Sequence, residues 1–217
     1  MQGVDTGFSQ YLSRIAEAVP LAGVTWLGCL AADDSAPYCT QAELVASMFL
    51  LTLFAFRFND LQDLRQDSRT PERARDAERL AARNASSILA ELSLLLLASL
   101  SLAWLAGGPI PLTVATAGAT CATVYSWRKM PLKQVAVAAS MLHLAGGDIA
   151  FCLGWWGVSD ASWHAPVAGL TFGLVFAAGH LQHEALHFEQ DSKSGVRTQA
   201  VRFGPRACLS AAVVCWL

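Results

Sequence analysis

Phe58-Asn59-Asp60-Leu61-Gln62-Asp63-Leu64-Arg65-Gln66-Asp67 decides how the rest of the chain is read. Eight apolar residues lie among Phe49–Phe58, immediately before the first carboxylate. Spacings of three and then four place Asp60, Asp63 and Asp67 on one face of a helix. The helical rise spreads them over about 10 Å. Three like charges on one face repel, so the arrangement is costly unless cations sit there. A hard cation such as Mg²⁺ takes oxygen ligands from one or two carboxylates and fills its shell with water and substrate phosphate. The plainer reading is a solvated acidic helix end. Its position argues against that, because the acidic face begins where an apolar span ends.

The composition agrees with a span. Of 217 residues, 54% are hydrophobic and only 15% charged, with a mean hydropathy of +0.39. That is too apolar for an ordinary soluble domain. Nothing is basic enough to suggest nucleic acid as a partner. The six cysteines form no C-x-x-C pair, and five fall in apolar stretches, so they read as small buried hydrophobes.

Apolar runs mark the spans. They are about Ile15–Ala32, Ala42–Phe58, Ser86–Ala106, Leu112–Val124, Val135–Trp156 and Pro166–Gly179. Asp5 and Glu17 spoil a signal-peptide reading of the first. A last run, Ala207–Leu217, has 11 residues where about 20 are needed to cross a bilayer. Backbone in lipid must satisfy its own hydrogen bonds, so these runs are predicted to be helices. The expectation is an all-α, multi-span transmembrane bundle of six helices plus a truncated seventh, a single domain over residues 1–217.

Charge tests that threading independently. With the spans alternating, Arg14 and the loops after spans two, four and six share one side. That side then holds all 15 Lys and Arg, while the opposite loops carry Asp33, Asp34 and Asp160 and no base. The positive-inside rule makes the basic side cytoplasmic, in an inner or cell membrane.

A second acidic segment mirrors the first. Glu184, His187 and Asp191 repeat the spacing of three and four, each 124 positions after its counterpart. Both segments follow an apolar span and precede bases, a weak internal repeat of the kind found in duplicated membrane folds. Two such helix ends facing each other would hold metal between them. The same segment spells His183-Glu184-Ala185-Leu186-His187, an H-E-x-x-H zinc-protease pattern, with Asp191 or His180 as a third ligand. That reading leaves the first acidic face unexplained.

Three motifs together resemble a family. Asn59-Asp60-x-x-Asp63-x-x-x-Asp67 resembles the first aspartate-rich motif of the UbiA superfamily of intramembrane prenyltransferases. Tyr125-Ser126 with Pro131-Leu132-Lys133 resembles its loop after the fourth helix. Glu184-x-x-His187-x-x-x-Asp191, followed by Gly195-x-Arg197-Thr198-x-Ala200-Val201-Arg202-Phe203-Gly204, resembles its second motif and tail. This chain departs from the pattern at His187, where the family usually has aspartate, and it lacks the Arg-Pro pair common after the first motif, with Pro71-Glu72-Arg73 nearest. The family usually has about nine helices, so a C-terminal part of its domain is expected to be missing here.

The resemblance implies a prenyl diphosphate gripped by Mg²⁺ on Asn59, Asp60, Asp63, Asp67, Glu184, His187 and Asp191. Lys133, Arg128, Arg197 and His143 are the implied substrate-binding residues. Tyr125 is implied to shield an allylic cation that a lipophilic acceptor attacks. A terpene cyclase on the same scaffold is the close alternative. Each residue also has a plainer reading. Arg128, Lys129 and Lys133 read as orienting charges at a helix end, Tyr125 as an interfacial aromatic, and His143 as hydrogen-bonded to a neighbour. Glu43 and Glu91 read as snorkelling from span ends, and Trp155, Trp156 and Trp163 as an outer belt. Asp148 lies deep in a span, where an ionisable group is expensive, and has no assigned role.

Overall fold

The computed structural model describes residues 6–33, 35–68, 74–129 and 132–217, excepting the side chains of 6–11, 65–67, 75 and 76. The Asp67 side chain, Pro131, and Pro71-Glu72-Arg73 therefore lie outside the described residues. What is described is helical throughout. The elements are α1 (Thr6–Ala32), α2 (Tyr38–Asp67), α3 (Ala74–Ala81), α4 (Ala85–Gly107), α5 (Pro109–Ser126), α6 (Ala138–Val158), α7 (His164–Leu186), α8 (Phe188–Ser194), α9 (Gln199–Phe203) and α10 (Pro205–Trp216). A single 3₁₀ turn, Leu132–Gln134, precedes α6.

Each predicted run became a long helix, but the six are not equal. Leu12–Ala32, Tyr38–Leu64, Ala85–Gly107 and His164–Leu186 are long and apolar enough to cross a membrane. α5 and α6 fall short because four threonines dilute the first, and His143, Asp148 and several glycines the second. α4 turns Leu89, Leu94, Leu97, Trp104 and Leu105 outward, and α1 does the same with Val19, Trp26 and Leu27. So much exposed apolar surface on spans of this length makes this a membrane protein. All six cysteines are unpaired.

Small residues bring the helices together. With no water between spans to drive association, packing depends on close backbone approach and interhelical hydrogen bonds. α1 meets α6 where Gly28 faces the Phe151 carbonyl and Gly154 faces the Thr25 carbonyl, with no room for a Cβ on either. The Thr25 hydroxyl donates to the Ala150 carbonyl at 2.9 Å. α6 meets α7 through Gly147, against the Phe172 carbonyl, and Gly173, against the Leu144 carbonyl. α2 and α4 are joined by a reciprocal pair, Ser47 Oγ to the Ser99 carbonyl and Ser99 Oγ to the Ser47 carbonyl, both 2.8 Å. α10 packs on α7 through Cys208 and Ala212.

The polar connections gather at one end. α3 lies against α2, the 3₁₀ turn against α5 and α6, and α9 against α7. Arg14, near the start of α1, reaches the last turns of α2. At the other end, the Ser35 hydroxyl and amide both donate to Asp33, holding that carboxyl below its ordinary range. Trp156 donates to the Ser162 carbonyl at 3.0 Å, and Trp163 stands exposed nearby. Trp155 and Trp156 both pack against the core, so of the three tryptophans expected in the outer belt only Trp163 is exposed.

Candidate functional site

The first motif lies on the last turns of α2, which runs through to Asp67 without a break. Asp60 is buried there. Its Oδ1 accepts from Arg14 Nη2 at 2.6 Å, while Arg57 Nη1 stands 3.7 Å from Oδ2. Oδ2 itself is buried with no hydrogen-bond partner. One turn on, Asp63 is paired with Lys133, whose ammonium meets both carboxylate oxygens. The same ammonium donates to Asn59 Oδ1 at 2.9 Å, and the Ser126 hydroxyl donates to that oxygen at 2.7 Å. Thus α2, the end of α5 and the turn before α6 converge on one patch of oxygen donors.

The loop that carries Lys133 is under strain. Val137, at the N-terminus of α6, has φ 72°, a region β-branched residues rarely adopt. Such a residue costs about 1–3 kcal/mol and persists only where its surroundings hold it. Arg128 is exposed, and its backbone N–H donates to Gln62 Oε1 at 3.1 Å, pinning the loop to α2.

The second motif is arranged differently. Glu184 is buried near the end of α7. His180 Nε2 lies 3.0 Å from its Oε1, and the amides of Gln199 and Ala200 donate to its Oε2 at 2.9 and 3.3 Å. The helix ends at Leu186, which leaves His187 as its C-cap, with Nδ1 3.3 Å from Gln190 Oε1. Asp191 falls in the separate short helix α8. Among the described residues, no three His, Cys, Asp or Glu side chains cluster as a metal centre. The H-E-x-x-H reading needs a free glutamate between two histidines of one helix. Here the glutamate is engaged by the protein and the second histidine lies beyond the helix end.

Aromatic rings link the two motifs. Tyr125 meets His143 edge-on at 5.2 Å between centroids, and His143 stacks on His180 at 3.9 Å. Tyr125 adjoins Ser126, which bonds Asn59, and its ring meets His143 on the way to His180, so it stands between the two acidic segments. His143 Nδ1 bonds the Ala139 carbonyl at 2.9 Å. Arg197 is elsewhere, lining an open groove of about 550 Å³ with Gln134, Val135, Thr198, Val201 and Arg202. Asp148 lies near Gly169 on α7, with the Cys152 thiol 3.7 Å away. Glu91 does not snorkel, since Arg57 and Arg83 hold it at 2.8 and 2.6 Å.

The model of the UbiA prenyltransferase family matches residues 21–217. The chain belongs to that family. A UbiA homolog from Archaeoglobus fulgidus, solved with DMAPP and Mg²⁺, has the same fold, with a TM-score of 0.76 at 17% identity. The match covers 95% of this chain and 71% of that one. The same homolog with GPP and Mg²⁺ matches equally well, and a Cd²⁺-bound form matches with a TM-score of 0.72. No curated protein matches the chain.

Within the UbiA frame, the structure adds side chains that spacing did not single out. Arg14 is 46 positions from Asp60, so only folding brings them together. Gln62 was silent for the same reason, and Ser126 stood in the loop motif without a role of its own. Gln199 and Ser140, joined at 2.7 Å, are also too far apart in sequence to be read as a pair.

Proposed function

We propose that this chain transfers a prenyl group from a prenyl diphosphate to a lipophilic acceptor, with Mg²⁺ held at Asn59, Asp60 and Asp63. The observation that carries this is the meeting of Lys133 with Asn59 and Asp63, beside a buried Asp60 oxygen that makes no hydrogen bond. The donors are all oxygen, which suits a hard cation. Family membership and the DMAPP, GPP and Mg²⁺ complexes of the A. fulgidus homolog support the same reading.

The residues divide the work. Mg²⁺, when bound, neutralises diphosphate charge and promotes its departure. Lys133 already stands at the carboxylates, so a diphosphate arriving there meets its ammonium. Arg14 and Arg57 offset the charge on Asp60. Tyr125 sits where its ring supplies electron density to an allylic cation. The surrounding helices keep water from quenching that cation. The lipid bilayer holds the prenyl tail and delivers the acceptor, and the basic end of the bundle faces the cytoplasm of an inner or cell membrane.

The test is product analysis on purified protein with a panel of prenyl diphosphates, with and without aromatic acceptors. Asp60→Ala and Asp63→Ala should each lower the rate by about 10²-fold or more, the scale of losing preorganised charge at a leaving group. Full activity in either variant, or in excess EDTA, refutes the proposal. Ring-closed products formed without an acceptor reassign the chain to a cyclase.

A further inference from the structure

Two acidic motifs with the same spacing have opposite surroundings. At the first, Asp60 keeps one buried oxygen without a hydrogen bond. At the second, Glu184 Oε2 accepts from the first two amides of α9, while Oε1 lies 3.0 Å from His180 Nε2, a buried nitrogen that makes no hydrogen bond. To grip a metal with both oxygens, Glu184 would have to leave two buried amide donors without a partner. His187, at the position between Glu184 and Asp191, is a helix cap whose Nδ1 faces Gln190.

The α9 segment is fastened at further points. Thr198 Oγ1 accepts from the Val201 amide, and the Gln199 side chain donates to Ser140 Oγ on α6 at 2.7 Å. Gln199 and Ala200 are both buried as a result. His180, whose ring lies beside Glu184, stacks on His143, which in turn meets Tyr125. A glutamate is one methylene longer than an aspartate, which suits reaching across to a neighbouring segment rather than gripping an ion beside its own helix.

We infer that Glu184 is a clasp and not a metal ligand in this chain. It fastens residues 198–203 against α6 and α7 and sets His180 against His143, leaving the first motif to hold the metal alone. This rests on the reading of the first motif as the diphosphate site.

The experiment uses the full chain in lipid nanodiscs, with Mn²⁺ and inorganic diphosphate as probes. Bound Mn²⁺ is counted by electron paramagnetic resonance, and hydrogen exchange is followed at the amides of residues 197–204. Wild type should bind one Mn²⁺ per chain. Glu184→Gln keeps an oxygen acceptor but loses its charge, so it should bind Mn²⁺ within about threefold of wild type and keep slow exchange. Glu184→Ala should keep the Mn²⁺ count while exchange at residues 199 and 200 accelerates by about tenfold or more. Two ions in wild type falling to one in Glu184→Gln would overturn the inference. So would a loss of Mn²⁺ affinity of about tenfold in Glu184→Gln with exchange unchanged, or unchanged exchange in Glu184→Ala. If wild type binds no Mn²⁺, the metal reading of the first motif falls, and the exchange result alone decides for or against the clasp.

Discussion

Asp60 carries more of the site than its place in a repeated pattern suggests. It is buried against Arg14, with Arg57 on its other side. Breaking a buried ion pair by removing one partner commonly costs about 3–5 kcal/mol, because a charge is stranded. Arg57 remains near Asp60, so Arg14→Gln should cost less than that range. A double-mutant cycle on Arg14→Gln and Asp60→Asn, read by thermal unfolding, should show strong coupling. Simple additivity would mean the pair contributes nothing. At the second motif, His187→Asp should change neither the maximal rate nor the Mg²⁺ needed for half of it, since His187 caps a helix. A lowered Mg²⁺ requirement would instead place that position at the metal. The carboxylates were legible from sequence because their spacing shows on one helix. Of their partners, Lys133 and Ser126 stood in the loop motif that resembles the family's, whereas Arg14 comes from another element and carries no spacing signal.

The helices are set by their glycines, and neighbouring glycines differ sharply. Gly147 lies against the Phe172 carbonyl, with no space for a Cβ, whereas Gly146 has nothing within 4 Å. Gly147→Ala should therefore force α6 from α7 and lower stability by about 1–3 kcal/mol, as overpacking does. Gly146→Ala should be neutral or stabilise by up to about 1 kcal/mol through helix propensity. Thermal unfolding in detergent checks both, and similar effects at the two positions would refute the close contact. The long helices were legible because apolar runs persist over many residues. The short helices α3, α8 and α9 were not, because they lie in polar segments and, at 8, 7 and 5 residues, are too short to show as apolar runs. α9 is held by Glu184, by its own Gln199 on Ser140 and by Ala200, which is buried in the cluster with Ala178 and Leu181.

Across the whole molecule, the basic connections share one end and Asp33 and Asp160 lie toward the other. In a Cys39→Ser background, a cysteine introduced at Ser35 or Asp160 should react with an impermeant reagent added outside cells. One introduced at Ser68 or Ser192 should not. The reverse pattern would overturn the orientation. Hydropathy and charge gave this threading without any knowledge of contacts. They gave no sign that α6, one of the less apolar helices, would pack most extensively with α1 and α7. That follows from Gly28, Gly147, Gly154 and Gly173, whose absent side chains leave no mark on a hydropathy trace.

The contact of Gly28 with α6 also sets a timetable for synthesis. Gly28 is made 126 positions before Gly154. At ribosomal rates that interval is roughly 6–25 s. Throughout it, α1 sits in the bilayer with the Thr25–Gly28 face open to lipid and to every later span. Leu12–Ala32 is apolar enough to wait there alone. α1 is thus the helix exposed longest to wrong partners, and its small-residue face, the kind that lets helices approach closely, stays open until α6 arrives.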